Sequence, residues 1–256
     1  KFKRRKTIAK GPHEIYQIDL VDMSSIAREN SGYRYILTCI DVFSRFAAAV
    51  PIKTKKAADV LSAFKKALKK MGGAKRLKFV HSDQGTEFMN KHFQTWLKKN
   101  KIHHYYTNSE MKAAIVERFN RTLRIRMHKS FTARQSLKYT HILDQLVESY
   151  NNRKHRTLGT APNKVNNRNK KEIFERQYGP YLAEKASRFK FKINQTVRIS
   201  RAKNLFEKGA DQGWTKEVFT IIDRYNSNPP TYALVDKNNQ VIQGIFYEAE
   251  LSRVRR

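Results

Sequence analysis

KFVHSDQGTEF, residues 78–88, opens as a β-strand and closes on a bare carboxylate. Phe79 and Val80 belong to the strand-forming run, Asp83 ends it, and Gln84-Gly85 follows at once. Glycine lets the backbone turn sharply, so Asp83 is expected to project from a sheet end toward a cleft. A second run, EIYQIDLV (14–21), alternates in the same way. Gln17, Asp19 and Val21 fall on one face, and Tyr16, Ile18 and Leu20 on the other. An acid inside such an apolar run costs several kcal/mol unless it is paired or bound to metal. Two acids of this kind on separate strands point to a site.

The flanking sequence supplies the layers. SGYRYILTCIDVFSRFAAAVPI (31–52) reads as two strands apolar on nearly every position, the pattern of central strands covered on both faces. From Lys55 the period changes: Ala57, Leu61, Phe64, Leu68 and Met71 form a helical stripe, with Lys65, Lys66, Lys69 and Lys70 opposite and Gly72-Gly73 at its end. A short helix over 91–99, a strand KIHHYY (101–106), a long helix from about Glu110 and another over 136–150 follow. Helices interleaved with strands predict an α/β architecture. After the polar, Asn-rich stretch NKVNNRNKKE (163–172) and a linker helix, short alternating segments such as TYALVD and VIQGIFYEAEL read as a small β-barrel or sandwich.

Composition narrows the function. Lys and Arg number 53 against 22 Asp and Glu, a formal charge of +31 on 256 residues, and such a field favours a polyanionic partner. At 39% hydrophobic and 11% aromatic the chain still has material for a core, so the charge is not that of a disordered tail. No apolar run is long enough to span a membrane, and none is expected to. One cysteine, Cys39, rules out a disulfide framework and paired Cys ligands, and predicts a buried small hydrophobe in a reducing compartment.

A third carboxylate, Glu117, lies in NSEMKAAIVERFNRTLRIRMH. On a helix it shares a face with Arg121, Arg124 and His128, while Val116, Phe119, Leu123 and Met127 form a packing stripe roughly 100° around. Two readings stand at this point: an i, i+4 salt bridge to Arg121, or a metal ligand beside arginines that follow a phosphate backbone.

YQIDL, HSDQGTEF and AAIVERFNRTL together resemble the D,D-35-E signature of retroviral-type integrases and related transposases, here with Glu117 34 positions after Asp83. SYNNRKHRTLGTAPNKV resembles the segment that closes the catalytic core in that family. The phrases DLVDM, YRYILTCIDVFSRFAAAVPIK, NPPTYALVD and GIFYEAEL are similar to integrases of the Maverick/Polinton transposons. The resemblance covers residues 14–254. It implies a basic arm (1–12), an RNase H-like core (13–165), a linker (166–187) and an SH3-like C-terminal DNA-binding domain (188–256). It also implies Asp19, Asp83 and Glu117 as catalytic ligands of two Mg²⁺, with Mn²⁺ tolerated. The activity implied is cutting of element DNA ends and transfer of the 3′-hydroxyl into target DNA, by a dimer or tetramer working on DNA in the nucleus. Asp22 competes with Asp19 for the first position, but strand parity puts it on the other face. Asp41 is read as structural, in a turn salt bridge with the Ser44-Arg45 pair.

Expected DNA contacts are Gln84, Lys112, Arg118, Asn120, Arg121 and Arg124 in the core, and Arg198, Lys203 and Lys216 in the C-terminal part. Trp214 is read as a barrel core residue, and the final SRVRR as a disordered tail. The zinc module of these integrases needs paired Cys, which this sequence does not supply. Two other functions fit less well: an RNase H-like nuclease, and a domesticated, non-catalytic DNA- or chromatin-binding protein.

Overall fold

The structure, a computed structural model, describes residues 2–83, 85–106, 113–184, 188–200 and 213–254. They fall into two compact units, Thr7–Gly179 and a smaller one of Lys1–Lys6 with Pro180–Arg256.

The larger unit is built on β1 (Ile15–Asp22), β2 (Tyr35–Asp41), β3 (Ala47–Ile52), β4 (Phe79–Ser82) and β5 (His103–Tyr106), in the order β3-β2-β1-β4-β5. β1, β2 and β3 pair antiparallel, whereas β4 joins β1, and β5 joins β4, in parallel. The parallel joins are made possible by helical crossovers: α1 (Ala57–Lys70) before β4, then α2 (Thr86–Met89) and α3 (Lys91–Lys99) before β5. α4 (Ala114–Arg134), α5 (Leu143–Asn152) and α6 (Lys170–Ala183) follow.

The alternation in β1 sorts the core into two layers. Tyr16 and Ile18 pack with Phe64 and Leu68 of α1 and with Phe93 and Leu97 of α3. Val21, on the opposite face, packs with Val116, Phe119, Leu123 and Met127 of α4 and with Leu143 and Val147 of α5. Cys39 is buried and free. Gly73 ends α1 at φ 92°, its N–H reaching the Leu68 carbonyl at 2.7 Å.

Two expectations for this larger unit need correction. β3 is an edge strand although both its faces are apolar, because α1 covers one face and α5 reaches the other. The Asn151 amide also takes up both main-chain groups of Ala47 at 2.9 Å, covering part of that edge. The helix expected over 136–150 begins only at Leu143. Gln135 closes α4 in the left-handed region (φ 48°), and Asn30 claims the next segment, accepting the Tyr139 N–H at 2.7 Å and donating to the Leu137 carbonyl at 3.0 Å.

The smaller unit holds an antiparallel five-stranded sheet in the order β10-β6-β7-β8-β9. Its strands are β6 (Thr196–Ile199), β7 (Phe219–Tyr225), β8 (Thr231–Val235), β9 (Phe246–Tyr247) and β10 (Leu251–Arg253). Phe191, Val197, Ile221, Tyr232 and Leu234 form its core. Trp214 is not part of that core; it is 37% exposed, bridging Ser200 at the sheet margin. Ser252 and Arg253, expected in a disordered tail, belong to β10 and pair with β6. Among the described residues no helix is long and apolar enough to cross a membrane.

Candidate active site

The parallel register of β1 and β4 ends on the pair Gln17–His81, and two residues further on come Asp19, within β1, and Asp83, just past the end of β4. The Gln17 and His81 side chains meet (Nε2 to Nδ1, 3.1 Å), so they share a face. By the two-residue period Asp19 shares it too, and this is the face that carries α4.

Gln17, buried, ties that face to the helix. Its Oε1 accepts the N–H groups of Ile115 and Val116 at 3.0 and 3.1 Å, two donors that the first turn of α4 leaves without helical partners. The next residue is Glu117. With Oε1 occupied in this way, the Gln17 amide must donate to His81 Nδ1. Burial and the nearby His104 push the His81 pKa down to about 4, so the ring is a neutral acceptor, stacked on Tyr105 at 4.6 Å. A second relay fixes the end of β4. Gln94 donates to His104 Nδ1 (2.7 Å), His104 Nε2 meets Ser82 Oγ (2.9 Å), and that hydroxyl donates to the Asp83 carbonyl (2.6 Å).

Asp19 is half-buried, and its pKa rises to about 6. Desolvation is the main cause; the charges of Asp83 and Glu117 push the same way, against hydrogen bonds from the Leu20 N–H and the Asn120 amide. Asp83 and Glu117 are both exposed. The three carboxylates expected from the sequence are therefore neighbours in one electrostatic field, delivered by β1, by the residue after β4 and by the first turn of α4. Among the described residues no three His, Cys, Asp or Glu side chains close on one point. Asp22 stands apart: it is exposed and accepts the Ser24 N–H at 2.8 Å.

Asn120, expected to contact DNA, is 7% exposed and donates to Asp19 Oδ2 at 2.7 Å; it positions the carboxylate. Its Oδ1 is buried and has no partner among the described residues. Arg121 and Arg124 are exposed on the Glu117 side of α4, whereas Arg118 lies roughly 100° around the helix from Glu117. Arg198 gives its guanidinium to the Thr215 and Lys216 carbonyls (2.8 and 3.1 Å), and the Lys216 side chain is exposed. Gln84, Lys112 and Lys203 lie outside the described residues. Asp41 bonds to Ser44 as expected, but not to the Arg45 side chain. It accepts from the His13 and Phe43 N–H groups and from Ser44 Oγ, while Arg45 bonds to Val42 and Gln177.

Sequence reasoning gave no role to Gln17, His104 or Gln94. For Gln17 a signal existed: an amide on the Asp19 face of an apolar strand has to find buried partners. His104 and Gln94 carried none, because their partnership is set by how α3 packs against β5.

Residues 9–110 match the family model described as the integrase core domain. The chain is 34% identical over 222 residues to a putative uncharacterized transposon-derived protein of Caenorhabditis elegans, covering 87% of this chain and 73% of that protein. In fold it is similar to the HTLV-2 integrase catalytic core domain solved in complex with magnesium. That likeness has a TM-score of 0.51 at 18% identity, and covers 60% of this chain and 97% of that one. It is also similar to a chain of the simian T-cell lymphotropic virus intasome solved with PP2A regulatory subunit B56 gamma. There the TM-score is 0.68 at 15% identity, over 98% of this chain and 82% of that one.

Proposed function

Because the chain belongs to the retroviral-type integrase family, we propose that it is a DDE-type polynucleotidyl transferase. On this reading it cuts the ends of an element's DNA and joins the free 3′-hydroxyl to target DNA. The observation that carries the reading is the placement of Asp19, Asp83 and Glu117, three carboxylates brought from β1, the end of β4 and the first turn of α4 by the β1–β4 register, the Gln17 bonds to α4 and the Asn120–Asp19 bond. Among the described residues none of the three is in an ion pair, so no protein cation competes for them.

The donor set fits Mg²⁺. It offers only hard oxygen ligands, and Asn120 Oδ1 beside Asp19, without a partner among the described residues, leaves an acceptor for a coordinated water. Asp19, Asp83 and Glu117 would hold the ions, and a bound pair supplies Lewis-acid polarisation of the scissile phosphate, with Mn²⁺ able to substitute. The protein's own part is placement. Asn120 orients Asp19, Gln17 docks the turn that bears Glu117, and Ser82 with His104 pins the backbone at Asp83. Arg121 and Arg124 extend from the same side of α4 to take the phosphates of element DNA. Arg198 and Lys216 of the smaller unit, which we read as an SH3-like domain, take a further stretch of backbone. We assign the catalytic core to 13–165, the linker to 166–187 and the DNA-binding domain to 188–256. The element is of Maverick/Polinton type, and the working form is a homo-oligomer, a dimer or tetramer assembled on nuclear DNA.

The test is disintegration, the reverse of strand transfer, on a branched DNA with Mg²⁺ or Mn²⁺. Religated product from the parent, and none from Asp83→Asn or Glu117→Gln variants that still fold and bind DNA, is the expected result. A parent that binds the DNA and yields no product would instead favour a domesticated DNA-binding role. Cleavage without any joining would favour a nuclease.

A further inference from the structure

On the other side of α4 a cavity of about 330 Å³ opens toward Tyr150 and the segment that follows α5. Arg45, Arg118, Arg126, Arg153, Lys154 and Arg156 line it, and among the described residues no carboxylate does. They arrive from four places: the β2–β3 turn, two turns of α4, the end of α5 and the loop beyond. Among the described residues none of the six has an acidic partner within ion-pair distance. Neutral groups hold some of them in place. Arg45 bonds to the Val42 carbonyl and Gln177, and Arg126 to the Leu146 carbonyl and Ser149. His155 accepts the Thr157 N–H on Nδ1 at 3.2 Å, which leaves Nε2 as a donor. Burial pushes its pKa down to about 4, and the neighbouring Arg45, Arg118 and Arg156 push the same way.

Cations gathered without counter-charge repel one another, so the arrangement is held by packing and is relieved by an anion. Its form selects the anion. A duplex presents a convex rod, and rows of charge along one helix, such as Arg121 and Arg124, suit it. Donors converging from four segments on a small cavity suit a compact group with several charges. We propose that this cavity is a binding site for a compact phosphate group, either a free oligophosphate or the terminal phosphate of a nucleic acid strand, distinct from the DDE site. The assignment does not depend on the transferase reading, since none of the three carboxylates takes part.

The experiment is calorimetric titration of the whole chain with inorganic tripolyphosphate, against sulfate at matched ionic strength. Saturable binding to the parent is expected. An Arg153→Gln/Arg156→Gln double variant, altered only at exposed side chains, should bind about tenfold more weakly or worse. Duplex DNA should bind parent and variant alike. Should the double variant unfold by circular dichroism, Lys154→Gln serves in its place. Two further arms, a short oligonucleotide with and without a 5′-phosphate, identify the source. Tighter binding of the phosphorylated strand assigns the site to nucleic acid ends, and equal binding assigns it to free oligophosphate. Tripolyphosphate binding no tighter than sulfate would overturn the proposal. So would an equal affinity in the variant, or an equal loss of duplex binding, since each would reduce the cluster to part of the general charge.

Discussion

At the scale of single residues, buried polar groups show where the chain has given up solvation to place a charge. Asp19 is held by Asn120 and the Leu20 N–H, yet its pKa still rises to about 6, because burial and two acidic neighbours outweigh those bonds. His155 is the basic counterpart, depressed from 6.5 to about 4. A histidine whose folded pKa lies below its unfolded value contributes full stability above about pH 6.5. It loses that contribution as the pH falls toward 4, where only the unfolded chain takes up the proton. Its partial exposure reduces the effect to on the order of 1 kcal/mol. Chemical denaturation at pH 7.5 and 5 should therefore show an acid-dependent loss that is smaller in His155→Gln. An unchanged pH dependence in that variant would remove His155 from the account.

At the scale of elements, α4 is the part on which the site depends. Its packing stripe was legible from Val116, Phe119, Leu123 and Met127, and these residues are buried as the period required. What fixes the rotation and depth of its first turn is the Gln17 side chain, which bonds two of its orphan N–H groups. Gln17→Leu leaves both without an acceptor in a buried setting and should cost about 1–3 kcal/mol in urea unfolding. Gln17→Glu keeps the acceptor for α4 but loses the donor to His81 and buries a charge, so it should recover only part of that loss. If Leu and Glu behave alike, the bonds to α4 are not what holds the turn. The α5 boundary teaches the complementary point. The apolar spacing of Tyr139, Ile142 and Leu143 suggested a helix, but Asn30, far away in the sequence, takes up the Tyr139 N–H and the Leu137 carbonyl instead.

At the scale of the whole molecule, the +31 formal charge governs association. Binding through Lys and Arg to phosphates releases counterions, so affinity should fall steeply with salt. For about six to ten phosphate contacts the loss is about 10³–10⁵-fold between 50 and 200 mM. A salt titration of duplex binding checks this, and a shallow slope would mean that few of the cations reach the backbone.

The sequence by itself determined the α/β layering and the faces of β1, and it singled out the three carboxylates that we propose as the site. Periodicities of 2 and 3.6 and an acid in an apolar run are local properties, written in neighbouring residues. Tertiary structure alone decided the rest. It made β3 an edge strand, turned Asn120 inward onto Asp19, and gave Gln17, His104 and Gln94 their partners. It also drew Arg45, Arg118 and Arg156, far apart in the chain, around one cavity. Such contacts depend on which elements the fold places side by side, and a side chain's reach across that gap is not encoded in its neighbours.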